Sequence, residues 1–165
     1  MNDKDSLNTR LNHFVKTLLD VMFFAGLAAE VLIPVLLPKL FLRYEFLTYE
    51  GRGGRQIDMR LYTPKLILTL AAGVFALLIL WELRRMMATV IRNDCFVDAN
   101  VVSLRRMGRY AMVIAALMLL SNVSAPTLTA TVVTLVFVIA GLFSLVLAGV
   151  FERAVRYKQE NDLTI

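Results

Sequence analysis

Few side chains in this sequence could carry a reaction, and none stands in a catalytic set. The single histidine, His13, leaves no imidazole pair for zinc. The single cysteine, Cys95, excludes a disulfide within the chain and any multi-cysteine metal site. Gly51-Arg52-Gly53-Gly54-Arg55 is rich enough in glycine to bring backbone N–H groups to a phosphate. A phosphate-binding loop, however, needs a following Lys-Ser/Thr between a strand and a helix, and this segment has neither. Ser103, Ser121 and Ser144 each lack a base at sequence level. No metal, no cofactor and no enzymatic activity is therefore expected.

Two acids offer chemistry of another kind. Asp20 and Glu30 interrupt a long apolar run, and a charged acid at the centre of a bilayer costs about 2.5–3.5 kcal/mol on insertion scales. Asp20 lies one turn past Lys16 and can stay at the interface. Glu30 is ten residues further on, so about 15 Å deeper at 1.5 Å per residue. Pro34 has no N–H to offer the Glu30 carbonyl. Glu30 and Pro34 thus mark a polar, locally broken point. It is either an acid satisfied by hydrogen bonds among the helices, with Thr69 and Thr134 at similar depth, or a proton- or cation-sensitive site.

The elements that hold these residues follow from composition. Of 165 residues, 58% are hydrophobic and 19% charged. A soluble domain has about 45–50% apolar and 25% charged residues. The excess is gathered into four blocks, which predict an all-α membrane protein, a compact four-transmembrane-helix bundle. Its spans are about 14–37, 64–83, 108–125 and 128–151. The first is too long for the core of a signal peptide and has no clear cleavage site. Pro38 closes it, and Pro64 suits the first turn of the second. The third is the weakest, extended by Arg106 and Arg109, whose long stems can snorkel. Small residues recur at four-residue spacing in all four blocks: Ala25 and Ala29, Ala72 and Ala76, Ala111 and Ala115, then Ala140, Ser144 and Ala148. Such spacing lets helices approach closely in lipid.

Between the spans lie an external loop, 38–63, a cytoplasmic loop, 84–107, and a cytoplasmic tail, 152–165. Leu42–Phe46 and Ile57–Leu61 alternate partly between apolar and polar residues around the glycine-rich link, which predicts an external β-hairpin between spans 1 and 2. In the cytoplasmic loop, residues 83–91 read as an extension of the second span, and Asp98 as the cap of a helix entering the third. Twelve of the 18 Lys and Arg residues fall on the side of the termini and the 84–107 loop. The positive-inside rule then places both termini in the cytoplasm. These arginines flank spans, so contact with lipid headgroups explains them before direct nucleic-acid binding does.

Two segments carry a resemblance. Phe96, Asn100, Leu104, Arg105, Arg106 and Gly108, entering the third span, match one motif. The tail Glu160-Asn161-Asp162-Leu163-Thr164-Ile165 matches the other. Together they resemble the bacterial domain-of-unknown-function family numbered 2975, whose members are small four-span proteins with cytoplasmic ends. Family members are often encoded beside a small helix-turn-helix transcription regulator. The resemblance implies a regulatory or sensory interaction protein that holds such a regulator at the membrane, through Phe96, Asn100, Arg105, Arg106, Glu160, Asn161, Asp162 and Leu163. The competing expectation is a small transporter or channel subunit built on Glu30 and the break at Pro34, which at this size would work as a homo-oligomer.

Overall fold

A computed structural model describes residues 3–48, 59–92, 94–124 and 128–162, with side chains for 10–36, 63–92, 94–123 and 128–161. Four helices follow in order: α1, Asp3–Thr48; α2, Met59–Ile91; α3, Asp98–Ser124; and α4, Leu128–Asp162. Three of them, α1, α2 and α4, contain stretches long and apolar enough to cross a membrane. The third block is the exception, because Arg105, Arg106 and Arg109 at one end and Ser121 and Asn122 at the other dilute a 27-residue helix.

Several expectations are corrected. Among the described residues there is no strand, so the hairpin is overturned. Leu42–Phe46 continues α1, and Met59–Leu61 opens α2. Five alternating residues fit a helix as readily as a strand. Extending a helix that already exists avoids the cost of nucleating a new element. The glycine-rich link lies outside the described residues. For the same reason Pro38 does not end α1, and Pro64 lies within α2 rather than in its first turn.

The helices also pack differently from a closed bundle. Among the described residues, α1 touches only α2, α2 also touches α3, and α3 also touches α4. The arrangement is a row of antiparallel neighbours. Along the first seam, Asp20 meets Arg84, Phe23 meets Trp81, Gly26 meets Leu77 and Glu30 meets Gly73. These steps of three or four residues on both helices mark a regular antiparallel register.

The core lies at the α2–α3–α4 seams: Ala72, Val101, Leu104, Ala111, Ile114, Ala115, Ala148 and Val155 are buried. Ala111, Ala115, Ser144 and Ala148 are therefore buried as their spacing predicts, whereas Ala140 is exposed and Gly141 beside it makes the contact. At the crossing, a Cβ on Gly108 would stand 3.1 Å from the Gly141 carbonyl oxygen and 2.7 Å from Leu145 Cγ. Ala25 and Ala29, by contrast, face outward, and Gly26 between them makes the contact with α2. The outer faces are apolar: Phe14, Val21, Phe24, Leu27 and Val31 on α1, and Val132, Leu135, Ile139, Phe143 and Val146 on α4 are exposed. Lipid tolerates such faces, whereas water would not leave apolar patches of that extent uncovered.

Candidate functional site

The polar contacts between helices gather at the end that carries the arginine-rich turn. On α2, Glu82 directly follows Trp81 in the last turn of the apolar run and is only 4% exposed. A buried carboxylate needs donors on both oxygens. It finds them on one face of α3, where Ser103 and Arg106 stand three residues apart. Ser103 Oγ donates to one oxygen at 2.7 Å and Arg106 Nη1 to the other at 3.2 Å.

On either side, the other seams close in the same way. Arg84 reaches back to α1 and donates through Nε to Asp20 at 2.6 Å. Its guanidinium lies 4.7 Å from the centre of the Phe23 ring and within 6 Å of the Phe24 and Trp81 rings, close enough for cation–π attraction. Between α3 and α4, Arg105 pairs with Glu152 at 2.7 Å, and Ser144 Oγ donates to the Leu104 carbonyl at 2.9 Å.

The turn between α2 and α3 is tied down from inside. Asn100 Nδ2 donates to the Cys95 carbonyl at 2.7 Å and to Thr89 Oγ1 at 2.8 Å. Phe96 stacks on Phe151 of α4 with ring centres 5.5 Å apart. The last turns of α4 then grip this turn from outside. Lys158 Nζ donates to Asp94 at 2.8 Å, and Gln159 Nε2 to Asp98 at 3.3 Å. Beside them Tyr157, Lys158, Glu160 and Asn161 line an open hollow.

The residues named from the motifs thus take different places. Phe96 is 47% exposed despite its contact with Phe151. Arg105 is exposed and ion-paired, and Arg106 serves Glu82. Asn100 is 2% exposed and spends its amide on the turn, leaving no surface for a partner to read. Glu160 and Asn161 are exposed on the last turn of α4. The backbone of Asp162 ends that helix, and Leu163 lies beyond the described residues. Glu30 and Pro34 sit far from this end, on α1, with the Glu30 carboxyl against Gly73.

Sequence reasoning weighed Ser103 only as a nucleophile and passed over Glu82, Thr89, Asp94 and Gln159 as polar partners. An acid in the last turn of a span, just before Arg84-Arg85, was the available signal for Glu82. Arg85, Arg92, Arg153 and Arg156 are exposed and make no ion pair among the described residues. Chemically, the arrangement binds helices together through neutralised charge and leaves a rim of guanidinium groups for phosphate or carboxylate.

No curated protein and no solved structure matches the chain. A family model does, that of a protein of unknown function (DUF2975), over residues 55–165. The matched stretch takes in α2, α3 and α4 whole and therefore every seam of the polar end except the one that Asp20 closes. The chain belongs to the DUF2975 family.

Proposed function

We propose that this protein is a multi-pass interaction protein of a bacterial inner membrane. Its arginine-rich end faces the cytoplasm and holds a small helix-turn-helix transcription regulator. The observation that carries the reading is the double latch between tail and turn, Lys158 to Asp94 and Gln159 to Asp98. It makes one continuous surface of the two segments that bear the family motifs. Phe96, Arg105, Glu160 and Asn161 supply the accessible part of that surface, with Asp162 and Leu163 following in sequence. Asn100 shapes the turn from within. The surface is mixed in charge, which suits a protein partner better than bare nucleic acid.

In this reading α3 is the fourth span. It packs against α4 from Arg105–Glu152 to Asn122–Thr131, and against α2 at Glu82–Ser103 and Phe75–Tyr110. At about 1.5 Å per residue its 27 residues exceed a hydrocarbon core of about 30 Å. Arg106 is admitted near the interface because Glu82 neutralises it. Four crossings and the basic rim together support a cytoplasmic side for both termini.

Purification in mild detergent, followed by mass spectrometry, tests the proposal. The full chain should bring down a small DNA-binding protein, and a chain lacking residues 157–165 should not. If the same partner copurifies and stays at the membrane without the tail, the tail–turn surface is not its seat. The reading as a small transporter or channel subunit rests on Glu30 and Pro34, although α1 runs on through Pro34 as a helix, and it predicts solute flux into proteoliposomes containing the purified chain.

A further inference from the structure

Nothing in the regulator reading uses Glu30. We propose that Glu30 is a proton-binding site at mid-depth in the membrane, loaded from water and seated against Gly73 of α2. Depth comes from the α1–α2 register. Gly73 lies midway along the apolar run Pro64–Leu83, and Glu30 is the α1 residue that meets it.

The seat is built by an absence. The Glu30 carboxyl occupies the volume that any side chain at position 73 would need, so α2 admits it only because residue 73 is glycine. There Glu30 Oε1 is shut off from the surface and has no hydrogen-bond partner. The backbone carbonyl of Glu30 is a second idle acceptor, because Pro34, four residues on, has no N–H. An unpartnered carboxyl oxygen, on a residue whose carbonyl also lacks its usual i+4 donor, calls for a proton.

Among the described side chains, no basic group is at hand to supply one. The neighbour of Glu30 on α2 is Gly73, while Leu77, one turn on, stands against Gly26. The nearest titratable groups on that helix are Lys65, eight residues before Gly73, and Glu82, nine after it, or about 12 Å and more along the axis. Glu82 is already bonded to Ser103 and Arg106. On α1, Asp20 is ten residues back and paired with Arg84. A carboxylate in hydrocarbon without a counter-charge costs several kcal/mol or more. Among the described residues the seat offers a metal cation little beyond the oxygens of Glu30 itself. Hard cations gather six or so oxygens, which favours the proton.

The test uses the full chain, purified in detergent and treated with dicyclohexylcarbodiimide, which reacts with a protonated carboxyl in apolar surroundings. Adducts are mapped by mass spectrometry over a pH series, in sodium and in potassium chloride. The expected result is modification at Glu30 that is equal in the two salts. Above its midpoint the labelling falls about tenfold per pH unit, as the protonated fraction does. Gly73→Ala, which fills the seat, should lower the labelling severalfold, and Glu30→Gln should abolish it. Absence of the adduct in the unaltered chain, labelling indifferent to pH, or protection by sodium over potassium would each overturn the proposal. Labelling of Gly73→Ala equal to that of the unaltered chain would reject Gly73 as the seat. None of these outcomes depends on whether a regulator binds.

Discussion

Glu82 and Arg105 both take part in ion pairs, yet burial gives them different weight. Glu82 answers two donors from inside the protein, so Glu82→Ala leaves Ser103 Oγ and Arg106 without their acceptor. The expected loss is about 1–3 kcal/mol, read as a lower thermal midpoint in detergent. Glu82→Gln keeps one acceptor oxygen and should fall between the two. Arg105 and Glu152 are each about half exposed. Arg105→Ala should therefore cost under about 1 kcal/mol, and any effect on partner capture should exceed its effect on stability. These differences were not legible in the sequence. The motif marks Asn100, Arg105 and Arg106 as a polar group, but not which of them turns inward. That is decided by contacts 11 to 47 residues away, at Thr89, Glu82 and Glu152. Glu30 was legible, because a lone acid in an apolar run is conspicuous whatever it touches.

At the scale of elements, length and hydropathy revealed four helices, while their ends escaped. The hairpin reading failed because residues 42–46 and 59–61 carry too few side chains to separate a period of two from one of 3.6. Small-residue spacing located the α3–α4 contact, where Gly108 and Gly141 face each other. It misplaced the α1 contact by one residue, since Ala25, Gly26 and Ala29 all look alike to the pattern. Gly141→Leu should cost about 1–3 kcal/mol by overpacking, because even a Cβ there lies 3.1 Å from Met112 Sδ and 3.2 Å from the Gly108 carbonyl oxygen. The α1–α2 register has a direct check. In a Cys95→Ser background, Gly26→Cys paired with Leu77→Cys should form a disulfide on mild oxidation. Gly26→Cys paired with Leu83→Cys, about 9 Å further along the helix, should not.

At the scale of the molecule, the number of crossings decides which ends share a compartment. Four crossings put His13 and Tyr157 on one side of the membrane and Leu128 on the other, whereas three would separate His13 from Tyr157. A membrane-impermeant thiol reagent applied to intact cells and to inverted vesicles distinguishes the two. Cysteines at 13 and 157 should react together only in inverted vesicles, and a cysteine at 128 only in intact cells. The row of helices, which composition could not reveal, has a further consequence. Because, among the described residues, each helix touches only the one made before it and the one made after it, every such contact is available as soon as the next segment leaves the ribosome. No early segment must wait for a late one to find it, so assembly can proceed in order of synthesis with little loop-closure delay. The oldest helix, held along a single edge, is also the one that could come away without unravelling the three that follow.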